Sequence, residues 1–169
     1  MQKLINKLAS YNAITFLTVT LGVLFLSFAF CFFVIAPWYE SLFGPIKGPH
    51  NFLVNMSLHM VLIITVLMAP LVETFLVQFL VIYLLLRFTR FPLWIVICTS
   101  ALIFGIMHYY GVFYVFYTLV LGIILAVAFV TCKQKRGYFY AFWVVTLIHG
   151  LFNATLVLLQ WDFSTGLNL

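Results

Sequence analysis

Four side chains in this chain carry chemistry for which an apolar sequence has no other obvious use. Glu73 is the one acid well inside an apolar stretch, His108 closes the run SALIFGIMHYY, and His149 and Asn153 lie in TLIHGLFNAT. A carboxylate beside imidazoles can hold and move a proton, and amide or imidazole N–H groups can stabilise a developing oxyanion. Polar and ionisable residues at hydrocarbon depth are costly, and by default they mark a functional site. An isolated glutamate there would simply be protonated, whereas two nearby imidazoles would keep it ionised, as a general base requires. His149 and Asn153 are four residues apart, so on a helix they share a face. The bland alternative is that such residues only hydrogen-bond between helices, for about 1 kcal/mol each. For His59, whose spacing suggests no partner, that is the reading; His50 reads as a solvated loop residue.

The elements that must position these residues are membrane helices. Of 169 residues, 66% are hydrophobic and only 7% charged, against about 25% charged in soluble domains. The mean hydropathy is +1.23. The net charge of +5 comes from eight Lys and Arg against three acids. That is too sparse for a nucleic-acid surface, and the basic residues sit at the ends of apolar runs. Cys31, Cys98 and Cys132 show no CxxC spacing, which leaves them as small apolar fillers. Lys3 and Lys7 precede an apolar run of about 23 residues, too long for a signal-peptide core, so the first helix is expected to be retained.

Five apolar segments follow: Ile14 to Ala36, Phe52 to Phe88, Pro92 to Tyr110, Gly111 to Cys132 and Gly137 to Gln160. The fold class is therefore all-α, a polytopic transmembrane bundle of about five helices forming one integral membrane domain over residues 1–169. The stretch between the first two, PWYESLFGPIKGPHN, is expected to be an external loop from its Pro and Gly content. The second segment would reach roughly 55 Å as a straight helix, far beyond a ~30 Å hydrocarbon core, and it is expected to break near Pro70. As one crossing it places seven basic residues on one side and only Lys47 on the other; as two crossings the bias falls to six against two. One crossing is the better fit to the positive-inside rule. The N-terminus is then cytoplasmic in a plasma (inner) membrane, and the C-terminal tail with Asp162 is external. In that topology all four polar residues lie about 12 to 17 residues from the cytoplasmic helix ends, roughly 18–26 Å deep. Sequons at Asn55 and Asn153 fall inside helices and are discounted, and Tyr109, Tyr110, Tyr138 and Tyr140 suit interfacial belts.

At these residues the chain resembles the CPBP family of intramembrane proteases, which includes type II CAAX prenyl endopeptidases and bacteriocin-processing or self-immunity proteins. Its Pro-preceded EExxxR motif is matched by APLVETFLVQ with Glu73 in the first position, its FxxxH motif by Phe104 to His108, and its HxxxN motif by His149 to Asn153. The likeness spans residues 52–159. It departs at Thr74 and Gln78, which stand where the family has a second Glu and an Arg. Four apart, these two are expected to hydrogen-bond in place of the acid–base pair.

The resemblance implies an intramembrane endopeptidase acting on a membrane-associated polypeptide. Glu73 and His108 would activate a water, His149 and Asn153 would stabilise the oxyanion, and Thr74, Gln78 and Phe104 would stand behind them. No cofactor is implied. Glu73, His108 and His149 also make a sufficient zinc ligand count, the rival chemistry, but without the HExxH spacing. A non-catalytic membrane protein on the same scaffold, serving immunity or partner binding, is the alternative that the diverged first motif favours. A transporter would need a continuous polar pathway, and the cytoplasmic halves of the helices hold few polar residues.

Overall fold

The computed structural model describes residues 1–47, 56–162 and 167–168. Its regular structure is helical, apart from a two-residue antiparallel pairing of Trp161–Asp162 with Leu167–Asn168. His50, Asn55 and the first residues of the segment expected from Phe52 lie outside the described residues.

A short helix that the apolar segments did not reveal comes first, α1 (Gln2–Ala9). It buries Ile5 and exposes Lys3 and Lys7. A polar clasp docks it: Gln2 Nε2 donates to Gln134 Oε1 at 3.1 Å, Gln134 Nε2 donates to Asn6 Oδ1 at 2.9 Å, and Lys135 Nζ donates to the Tyr11 carbonyl.

α2 (Ala13–Phe43) starts where the Asn12 side chain accepts from the Thr15 N–H at 2.8 Å, the usual way to satisfy a helix N-terminus. It does not stop before Pro37. The PWYESLF part of the expected loop PWYESLFGPIKGPHN is helical, because Cys31–Ile35 forms a wide turn in which Ala36 N–H reaches back five residues to Cys31 O. Such a turn resets the hydrogen-bond register, and the missing N–H of Pro37 then falls where the chain can tolerate it.

α3 (Leu58–Phe88) is one helix from end to end, so the long apolar stretch makes one crossing and not two. Its break near Pro70 takes the form of two wide stretches, Ile63–Met68 and Thr74–Val81, on either side of the α-helical turn Ala69–Glu73.

α4 (Leu93–Met107) has 15 residues, about 22 Å of helix. That is short of a ~30 Å hydrocarbon core, so α4 does not reach across one. The last helical run, Val112–Gln160, is broken at Arg136 and at Gly137, whose φ of 84° suits a residue without a Cβ. It makes α5 (112–135) and α6 (138–160).

Small residues bring α4 and α5 together: a Cβ added to Gly122 would lie 3.0 Å from the Ala101 Cα. Rings from α2 pack against α5 and α6, Phe32 on Tyr117 at 5.1 Å and Phe25 on Phe152 at 5.1 Å between centroids. Basic residues of α1, α3 and α5 gather at one end, where α1 meets Gln134 and Lys135 and the Tyr83 ring near Arg87 packs on Tyr138 at 5.4 Å. At the other end, Gly111 of the α4–α5 turn lies against Lys47. The chain is an integral membrane protein.

Candidate active site

His108 caps the C-terminus of α4. His108 leaves the helical conformation (φ −100°, ψ 40°), with its N–H on Gly105 O at 3.1 Å and its carbonyl accepting from Tyr110 N–H at 2.8 Å. The turn aims the imidazole back over its own helix, where Nδ1 meets the Phe104 carbonyl at 2.8 Å. A carbonyl can only accept, so Nδ1 carries the proton and the Nε2 of the neutral ring is a lone pair. The Phe104 ring then walls both imidazoles, with centroids 4.6 Å from His108 and 5.7 Å from His149.

Glu73 ends the α-helical turn of α3 that starts just before Pro70. One carboxylate oxygen, Oε2, lies 3.6 Å from His108 Nε2 and 3.7 Å from His149 Nε2. Both separations exceed a direct hydrogen bond. His149 sits on α6 with its side chain 7% exposed, against 18% for both Glu73 and His108. Its Nδ1 is buried without a hydrogen-bond partner. A buried N–H without an acceptor is the rarer and costlier state, so the proton belongs on Nε2, pointing at Glu73. One helical turn on, Asn153 donates from Nδ2 to the Thr65 carbonyl of α3 at 2.9 Å.

Glu73, Phe104, His108, His149 and Asn153 line one cavity of about 190 Å³. At ~30 Å³ per molecule it has room for several waters. The same cavity is lined by Thr65, Tyr110, Tyr114 and Tyr117, none of which the sequence reading placed there. Tyr110 suits an interfacial belt by sequence, and nothing in the spacing of Tyr114 separates it from ordinary packing aromatics. Thr65 had one usable signal: it stands five residues before Pro70, the span of a wide turn.

Thr74 and Gln78 stay outside the cavity lining and do not form the expected pair. Both are fully buried, and neither Thr74 Oγ1 nor the Gln78 amide has a hydrogen-bond partner. The four-residue rule belongs to α-helical turns, whereas Thr74–Val81 is wide-turned. His59 is exposed in the first turn of α3 instead of bridging helices. Cys31, Cys98 and Cys132 are free thiols, Cys31 and Cys132 buried and Cys98 exposed.

The family model described as type II CAAX prenyl endopeptidase, Rce1-like, matches residues 51–155. The chain belongs to this family. The match covers more than half of the chain and includes Glu73, Phe104, His108, His149 and Asn153. No curated protein and no solved structure matches. Membership makes this Rce1-like protein a member of a protease family embedded in the membrane, with a polypeptide as the substrate class.

Proposed function

We propose that this protein is an intramembrane endopeptidase that hydrolyses a membrane-associated polypeptide with a water activated by Glu73 and His108. The observation that carries the reading is the placement of one carboxylate oxygen 3.6 Å and 3.7 Å from two imidazole Nε2 atoms. Glu73 Oε2 and His108 Nε2 are both acceptors, and two acceptors at this separation suit a water that donates one hydrogen to each. Polarised from both sides, that water passes a proton to Glu73 while its oxygen attacks the peptide carbonyl carbon. The carbonyl oxygen gains the negative charge, and His149 Nε2–H and an Asn153 N–H are the donors that meet it. Collapse breaks the C–N bond, and the proton held on Glu73 goes to the leaving amine. No covalent intermediate with the protein is needed.

Zinc held by Glu73, His108 and His149 is the rival chemistry. A metal-bound histidine almost always anchors its other ring nitrogen, and His149 Nδ1 has no such partner. Among the described residues no group of three His, Cys, Asp or Glu side chains is arranged to hold a metal ion. A strong chelator is expected to leave cleavage unchanged; loss of activity that zinc restores would favour the metal.

The basic residues at one end support a cytoplasmic N-terminus and an α4–α5 turn toward the outside, by the positive-inside rule. The cavity lies by that turn, so the substrate is expected to be reached from the outer half of the bilayer. In that orientation the site would face away from prenylated tails, which are cytoplasmic. A non-catalytic immunity or partner-binding role has one observation in its favour, the replacement of the family's second Glu and Arg by Thr74 and Gln78.

The test is cleavage in proteoliposomes of a prenylated CAAX-type peptide and of an unprenylated membrane-spanning peptide. Wild type is expected to cut at least one of them, and Glu73→Gln to lose about 10²–10⁴-fold in rate with its fold intact. A Glu73→Gln protein that cuts as well as wild type ends the catalytic reading. If wild type cuts neither peptide, the non-catalytic role stands, and a His149→Ala protein should then keep its phenotype.

A further inference from the structure

We propose that Pro70 is a positioning residue for Asn153: by lacking an N–H it frees the Thr65 carbonyl to hold one amide hydrogen of Asn153, which aims the other into the cavity. The inference rests on the hydrolase reading for its catalytic consequence, but its geometry stands apart from it.

The hydrogen bonding of α3 shows why the carbonyl is free. In the wide turn Ile63–Met68, Ala69 N–H is spent on Ile64 O, five residues back. Continued by one residue, the same pattern would send the N–H of residue 70 to Thr65 O, and proline has none. Pro70 is buried and Thr65 half-buried, and a carbonyl withdrawn from solvent without a donor costs free energy. Asn153 supplies the donor from the neighbouring helix at 2.9 Å. The atom that faces Thr65 O must be Nδ2, because two acceptors would repel.

Gly150, one turn earlier on α6, allows the approach. A Cβ at that position would lie 2.7 Å from Val66 O, the neighbouring carbonyl of α3 and the one four residues before Pro70. Backbone cannot yield there as a flexible side chain would. The bare Cα of Gly150 and the Asn153 bond together fix the height and rotation of α6 against α3. The primary amide is planar, with its two N–H bonds about 120° apart. Tying one to Thr65 O therefore sets the direction of the other. Asn153 and Thr65 both line the cavity that holds Glu73, so the second N–H faces the place where a carbonyl oxygen would become charged.

Pro70→Ala restores an N–H that competes for Thr65 O without adding bulk, and alanine is at home in a helix. Pro70→Ser carries the same N–H should the alanine protein fail to fold. With selectively ¹⁵N-labelled asparagine, assigned through Asn153→Asp, wild type is expected to show two well-separated Asn153 side-chain amide protons, one of them slow to exchange. In Pro70→Ala the two should converge and both exchange fast. On the cleaved peptide kcat should fall about 10- to 100-fold with KM unchanged, and Pro70→Ala should add no further loss to Asn153→Ala. An Asn153 amide signal unaltered in Pro70→Ala overturns the inference and leaves the hydrolase reading untouched. Additive losses in the double variant overturn it too, since proline would then act through packing alone. If wild type cuts nothing, the hydrolase reading fails, and the amide spectrum by itself decides whether Pro70 holds Asn153.

Discussion

Pro37 in α2 and Pro70 in α3 each follow a wide turn, Cys31–Ile35 in the first helix and Ile63–Met68 in the second. The backbone device is the same: an N–H reaches five residues back, and the next donor in line is missing. The surroundings differ. Pro37 is exposed, and the turn before it sits among rings, with Phe32 packed on Phe113 and Tyr117. Pro70 is buried, and the carbonyl it releases is met by Asn153 from α6. In α2 the turn lets a helix run on past a proline. In α3 the same turn hands a polar atom to another helix, two turns before Glu73. What separates the two is the partner helix. A proline near a membrane site therefore acquires its role from whatever faces the carbonyl it leaves free.

The sharpest way to break this comparison is at Asn153. Asn153→Ala is expected to lower kcat about 10²–10³-fold, measured on the cleaved peptide with the helical content checked by circular dichroism. A change confined to KM would mean that the amide serves only to hold the helices together. Next in size is Gly150→Ala, which forces α6 off the Val66 carbonyl and should cost about 1–3 kcal/mol of stability, read by unfolding in detergent micelles. Equal stability would show that α3 and α6 do not approach as closely as described. Smaller still is the pair Thr74→Val and Gln78→Met. Buried polar atoms without partners are replaced there by apolar groups of similar shape, and stability should hold or rise by about 1 kcal/mol. A clear loss would reveal that these side chains are hydrogen-bonded after all. Pro37→Ala should leave kcat unchanged, and a loss matching that of Pro70→Ala would erase the distinction between the two prolines.

Much of this was legible in the sequence because hydropathy dictates so much in a membrane protein. Five apolar segments gave the bundle, and basic residues at their ends resolved the 31-residue helix α3 into one crossing. Glu73, His108, His149 and Asn153 stood out because a polar group in hydrocarbon is costly, and the depth estimate put them at one level. The hydrogen-bond registers inside the helices were not legible. Hydropathy carries no mark of a wide turn, so Pro37 read as the end of α2 and Thr74 with Gln78 read as an α-helical pair. Thr65 offers only its carbonyl, which every residue has, so side-chain chemistry could not single it out. α1 escaped notice because eight residues with two lysines resemble a solvated tail until Gln134 and Lys135 are seen beside them.

The most direct measurement of the central claim is an experimental structure in lipid, at a resolution that shows ordered solvent, with data collected above the zinc absorption edge. The account predicts a water within hydrogen-bonding distance of both Glu73 Oε2 and His108 Nε2, with no anomalous signal at that position. A metal peak between Glu73, His108 and His149 would contradict it, and so would a Glu73 carboxylate turned away from both imidazoles toward lipid.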